Sequence, residues 1–306
     1  MTVTNITLET SYRVPILINI YNRPHFSVIL VDALRKVKPR KIYIASDGAK
    51  SNTKDIELVS KARQITELID WDCELFTLYR PHNLGCKDAV SSAISWFFNC
   101  ESSGIILEDD TIPAPDFFAY CQYMLEKYID DKSIWMICGF NPKNPTAITN
   151  QAFLSQNPSV WGWATWADRW KEFDLELRDW PTKPIKFNSL VPKYVKRFYK
   201  RIFNLVKNNT INCWGYQVTY MILKNNGHVV KPYTNLIGNI GTVGAHSTSK
   251  DLNHFTPTGQ YTVPSKNIDI KSDYSQDLWF YDVNLKRYRT INRLINKIKK
   301  YLTFRT

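Results

Sequence analysis

The chain has 306 residues, 44% of them hydrophobic, which is enough for one large folded domain with a sizeable core and excludes a disordered chain. Its formal net charge of +12 favours acidic partners, whether nucleic acid, anionic lipid or a phosphorylated small molecule, without choosing among them. No apolar run approaches the ~20 residues that span a bilayer. Residues 1–13 lack the charged head and apolar stretch of a secretory leader, so a cytoplasmic location is expected. The six cysteines are scattered, with no C-x-x-C pair and no zinc spacing, and read as buried thiols in a reducing compartment.

Residues 14–20 (VPILINI) form an apolar run of strand length, and residues 24–36 carry helical spacing. A second strand is predicted at 41–45 and closes on the Asp47-Gly48 turn. A long amphipathic helix follows at 54–69, with Ile56, Val59, Ile65, Leu68 and Ile69 on its apolar side. Strand 73–78, helix 88–98, strand 104–107, helix 116–128 and strand 134–138 continue the alternation. Such alternation predicts an α/β fold, a mostly parallel sheet flanked by helices, with ligands bound beyond the carboxyl ends of the strands. After Gly139 the pattern breaks. Residues 141–159 read as a loop, 160–170 as a Trp-rich segment, 193–206 as a basic helix, 214–224 as a further helix and 229–240 as extended. This second half is expected to pack over the strand ends and grip an acceptor.

Glu108-Asp109-Asp110 directly follows the strand at 104–107. Three adjacent carboxylates repel one another. A hard cation, Mn²⁺ or Mg²⁺, gives a folded chain a reason to hold them together, and leaves coordination positions for diphosphate oxygens. A solvated acidic turn ahead of a helix N-terminus is the competing reading.

Residues 105–110 (IILEDD) followed by 114–118 (APDFF) resemble the metal motif of the GT-A glycosyltransferases, in particular the N-acetylglucosaminyltransferase I-like group and related bacterial sugar transferases. The resemblance runs in order along most of the chain. Residues 19–24 (NIYNRP) are similar to the first strand and nucleotide loop, 46–48 to the acidic turn that reads base or ribose, and 83–87 (NLGCK) to the loop before the third helix. Residues 160–166 (VWGWATW) are similar to the glycine-aromatic segment facing sugar and acceptor, and 239–241, with His246 beyond, to the closing segment. The resemblance implies one GT-A catalytic domain over 1–284, with a nucleotide-sugar half at 14–140 and an acceptor-side half at 141–284. It implies a nucleoside diphosphate sugar, a UDP- or GDP-sugar, held by Asn22, Arg23, Asp47, Asn83, Gly85, Lys87, Glu108 and Asp109. Asp110 and His246 would ligate the metal. Trp161, Gly162, Trp163, Trp166, Trp214, Tyr216 and Gln217 would face the donor sugar and a glycan or lipid-linked saccharide acceptor.

One departure is plain. The N-acetylglucosaminyltransferase I-like enzymes carry Trp-Asp-Asp-Trp where this chain has Trp214-Gly215-Tyr216-Gln217, so the acid expected as the base of an inverting transfer is missing. Asp168, Glu172 and Asp174 are the candidate replacements for an inverting hexosyl transfer, which is expected over a retaining one that needs no base. A carbohydrate-binding module that keeps the fold without catalysis is the alternative. A nucleic-acid binder is disfavoured because no reader motif is present. Residues 285–306 contain eight Lys or Arg and no acid, with Ile291, Leu294, Ile295, Ile298 and Leu302 at helical spacing. They read as a basic amphipathic helix suited to an anionic membrane surface on its inner face, to which the basic helix within 193–207 would add.

Overall fold

The computed structural model describes residues 12–241 and 257–285. The chain opens with β1 (Ile16–Ile20), α1 (Pro24–Arg35), β2 (Lys41–Ser46), α2 (Thr53–Arg63), β3 (Glu74–Tyr79), α3 (Cys86–Cys100) and β4 (Ser103–Glu108). The short β5 (Thr111–Pro113), α4 (Pro115–Lys127) and β6 (Ile134–Cys138) follow. The alternation therefore holds, and local chemistry explains its boundaries. Pro24 and Pro115 open their helices where a missing N–H costs nothing. The Asn52 side chain caps α2 by accepting from the Asp55 amide at 2.9 Å.

α2 is shorter than its apolar spacing predicts. It ends at Arg63 and tightens into a 3₁₀ turn, Gln64–Leu68. The Arg63 carbonyl also accepts from the Tyr79 hydroxyl at 3.0 Å and from the Thr66 hydroxyl at 3.4 Å. Ile56, expected on the buried side, is 54% exposed.

The second half departs further from expectation. The predicted loop at 141–159 contains β7 (Ile148–Thr149) and β8 (Ala152–Ser155), and the Trp-rich segment is β9 (Trp163–Trp166) running into the short α5 (Ala167–Trp170). Then come α6 (Lys193–Lys207), α7 (Gly215–Lys224), β10 (His228–Pro232), β11 (Ile237–Asn239), β12 (Gln260–Tyr261) and α8 (Tyr274–Asn284). The main sheet has the order β3-β2-β1-β4-β9-β6-β10-β8. The first four strands are parallel, β9 is antiparallel to both β4 and β6, β10 is parallel to β6, and β8 is antiparallel to β10. The region expected to lie over the strand ends thus supplies three strands of the same mixed sheet.

Two apolar layers cover the sheet. Residues of α1, α2 and α4 pack with Ile16, Ile18, Ile105 and Leu107 on one face. Residues of α3, α5 and α7 pack with Leu17, Tyr43, Ile106 and Trp163 on the other. A third cluster joins α6, α7 and α8 through Tyr199, Phe203, Tyr220 and Tyr281. All six cysteines are free thiols, but only Cys121 and Cys138 are buried, and Cys86 and Cys100 are exposed. No helix among the described residues is long and apolar enough to cross a membrane.

Candidate active site

From β1 the chain moves outward to β2 and β3 on one side and then crosses to β4 on the other. The strand order reverses between β1 and β4, and the carboxyl ends of those strands are where an open α/β sheet forms a crevice. A cavity of about 700 Å³ lies there. It is lined by Asn22 and Arg23 after β1, Asp47 and Lys50 after β2, Arg80, Asn83 and Gly85 after β3, and Glu108, Asp109 and Asp110 after β4. Trp161, Asn239 and Gly241 complete its far wall.

Arg23 organises the acidic triplet. Its guanidinium pairs with both oxygens of Asp109, which is fully buried, and its Nη1 donates to Asp110 Oδ2 at 2.6 Å. One cation thus faces three carboxylates. Burial, reinforced by Asp110 and Asp109, pushes the Glu108 carboxyl up to about 8. Burial likewise raises Asp109 to about 6 against the opposing pull of Arg23. No protein hydrogen bond holds the Glu108 carboxyl among the described residues. The Ile240 amide donates to the Asp110 carbonyl at 2.9 Å, and a Cβ on Gly241 would meet Asp110 Oδ2 at 2.3 Å, so this backbone closes over the cluster.

Asp47 has a different role from a plain turn residue. Its carboxylate accepts from the amides of Gly48, Leu84 and Gly85 at 2.8, 2.9 and 3.0 Å, and from Asn83 Nδ2 at 3.0 Å. Four donors fill the acceptor capacity of a carboxylate. Asp47 therefore holds the loop that delivers Gly85, at φ +80°, to the start of α3. Asp55, on α2, holds the neighbouring loop: it accepts from the Tyr21 hydroxyl, Asn22 Nδ2 and the Lys50 amide, each at 2.6 Å.

Several predicted residues are elsewhere. Lys87 does not line the cavity; its Nζ donates to Glu176 at 2.7 Å and Asn209 at 3.3 Å. Trp163 and Trp166 are core residues, 1% and 2% exposed, because β9 is a central strand with both faces covered, and Trp214, 4% exposed at the start of α7, stacks on Trp163. Gln217 is buried and ties α7 to the Leu175 and Cys213 carbonyls. Tyr216 packs toward Phe198 of α6. Gly162, at φ +57°, is needed where a Cβ would strike Ile237 at 2.3 Å. Of the aromatic segment only Trp161 reaches the cavity, braced edge-on by Phe140.

The candidate bases are also not brought together with the triplet. Ser103 pairs with Trp166, so Asp168 sits at the opposite end of β4 from Glu108, about 16 Å away at 3.3 Å per residue. It is held there by Lys132 and Arg169. Glu172 lies beside Lys224, and Asp174 accepts from Arg178. His246 lies outside the described residues, as do residues 286–306.

Sequence reasoning missed Asn19. It is 8% exposed, lines the cavity from β1, and stands in register with Glu108. Its Nδ2 has no hydrogen-bond partner among the described residues. A buried donor left unmade costs about 1–3 kcal/mol, and this one lies in a cavity wall. The signal was present: Asn19 is the single polar residue in the run ILINI.

Among the described residues, no three His, Cys, Asp or Glu side chains form an all-protein metal cage. The set does suit a hard cation that takes one or two carboxylates and completes its shell with phosphate and water. Asp110 and Glu108 are the oxygen donors available for it.

No family model matches the chain, and no curated protein does. Its structural neighbours are nucleotide-sugar transferases and pyrophosphorylases. They include the galactosyltransferase LgtC in complex with donor and acceptor sugar analogs (7% identity, 82% of this chain and 88% of that chain, TM-score 0.37). UDP-glucose pyrophosphorylase complexed with UDP-glucose is a second (8% identity, 72% and 90% covered, TM-score 0.37). HddC from Yersinia pseudotuberculosis is a third (13% identity, 58% and 87% covered, TM-score 0.32). Likenesses this slight do not bear on this chain's ligand or activity.

Proposed function

We propose that the cavity binds a nucleoside diphosphate sugar and that the protein is a GT-A-type glycosyltransferase acting on a hydroxyl of a glycan or lipid-linked saccharide. The observation that carries this reading is the acidic triplet at the end of β4, facing Arg23 at the end of β1, inside one cavity at the reversal of strand order. That cavity lies in the size range of small-molecule sites and offers convergent polar groups on rigid strands. Asp110 and Glu108 would hold Mn²⁺ or Mg²⁺, which when bound neutralises charge on a departing diphosphate. Arg23 fixes the direction of Asp109 and Asp110, Asn19 contributes a buried donor, and Trp161 offers a ring face to the sugar.

With Asp168, Glu172 and Asp174 away from the cavity, the geometry favours a retaining transfer, which needs no dedicated base, over an inverting one. The anomeric configuration of the product, read by NMR, decides between them. The placement of these three acids among the described residues also favours a second reading, a nucleotide-sugar-binding module without catalysis. Donor hydrolysis or transfer by the purified protein eliminates it.

The decisive test is calorimetric titration of nucleoside diphosphates and their sugar conjugates, with and without Mn²⁺, on the wild type and Asp110→Ala. Metal-dependent binding of one nucleotide that disappears in the variant is expected. Binding of none would leave the chain with a fold and no assigned ligand.

A further inference from the structure

Between positions 180 and 250 the sequence contains eleven Lys or Arg and no Asp or Glu. The structure gathers much of this charge on α6. Lys193, Arg197, Lys200 and Arg201 share its exposed face, while Val195, Tyr199, Ile202, Phe203 and Val206 bury the opposite one. In the segment that precedes α6, Lys183 and Lys186 are exposed, as is Leu190, at 59%. Among the described residues no carboxylate pairs with Lys193, Lys196, Arg197 or Lys200. Like charges at this spacing oppose the helix, so the stripe is not a device for helix stability.

The end of α8 lies beside the buried face of α6. Leu285 packs in one cluster with Val195, Tyr199 and Ile202 of α6, and Tyr194 donates to Asp282 of α8 at 3.0 Å. The sequence that continues from that point, residues 286–306, holds eight Lys or Arg and no acid. Outside residues 180–250 and 286–306 the sequence is net acidic, so the excess positive charge belongs to these two stretches of the chain.

We propose that the exposed face of α6 is a docking surface for a bilayer of anionic phospholipid. A surface of four to eight basic residues on an amphipathic helix gains about 1 kcal/mol per residue near such a bilayer. Exposed Leu190 and the half-buried rings of Tyr194 and Phe198 suit the headgroup boundary, where apolar and cationic groups work together. A nucleic-acid backbone offers those apolar groups nothing. The C-terminal end of α6 leads to Asn209, which accepts from Lys87 at the start of α3.

The test is co-sedimentation of the full chain with vesicles of equimolar phosphatidylcholine and phosphatidylglycerol, against pure phosphatidylcholine, at low and high salt. The wild type is expected on the anionic vesicles only, and to be released by salt. The triple variant Lys193→Gln/Arg197→Gln/Lys200→Gln is expected to bind roughly a hundredfold more weakly, at about 1 kcal/mol per charge removed. Its thermal unfolding and its nucleotide titration should match the wild type. Equal binding to neutral vesicles, no binding, or unchanged binding by the triple variant would overturn the assignment to α6. So would tighter binding to a DNA or RNA oligonucleotide than to the anionic vesicles at the same salt.

Discussion

Arg23 and Asn19 show how much of the site rests on single side chains. Arg23 is the cation that accompanies Asp109 into the interior. Arg23→Ala leaves that carboxylate buried and unpaired, and is expected to destabilise the fold by about 3–5 kcal/mol, the range for breaking a buried pair. Denaturant titration measures this, and Arg23→Ala/Asp109→Asn should recover part of the loss. Asn19→Ala has the opposite signature, because its Nδ2 makes no bond among the described residues. The melting temperature of the free protein should hold or rise, while nucleotide affinity falls about five- to tenfold for one hydrogen bond of ~1 kcal/mol. A lower melting temperature with unchanged affinity would make Asn19 a structural residue. Both side chains were legible in part. Arg23 and the triplet each follow a strand, but only the paired strands show that they meet.

At the scale of elements, the cavity is built by loops that brace one another. Gly48 passes so close to the β3–α3 connection that a Cβ there would lie 2.2 Å from the His82 carbonyl carbon. Gly48→Ala must therefore shift backbone and pull the Asp47 loop from the Asn83–Gly85 loop. A cost of about 1–3 kcal/mol in stability and a weaker nucleotide titration are expected together. Asp55 supplies the pH dependence of the same region. Burial pushes its carboxyl up, but the hydrogen bonds from Tyr21, the Lys50 amide and Asn22 outweigh burial and hold it below its ordinary value. Its contribution is then complete above the unfolded pKa of about 3.9 and is lost as pH falls through the lower folded value. Asp55→Asn should flatten the acid limb of the stability–pH curve, measured by denaturant midpoint. The Asp-Gly turn and the helix at 54–69 were visible as local patterns, whereas the hydrogen bonds from Asp47 to the Asn83–Gly85 loop and from Tyr21 and Asn22 to Asp55 join residues 33 to 38 apart in the chain.

Across the whole molecule, β9 decides which side chains of the second half reach the cavity. Its antiparallel insertion between β4 and β6 sends Asp168 to the amino end of the parallel strands. Asp168→Asn is expected to leave donor turnover unchanged, and a loss of turnover with an unaltered melting temperature would contradict the geometry. The same insertion turns a segment rich in tryptophan from a substrate face into core, with Trp161 alone left at the cavity.

The sequence by itself determined the alternating elements of the first half, the strand-end position of the acidic triplet and the basic character of α6. Those properties follow from periodicity, turn residues and charge, which act over a few residues. Tertiary structure decided the strand order, the interior fate of Trp163, Trp166 and Trp214, the capture of Lys87 by Glu176, and the unpartnered donor of Asn19. Each of these depends on which distant segment lies alongside, and burial and pairing between distant segments have no counterpart in local pattern.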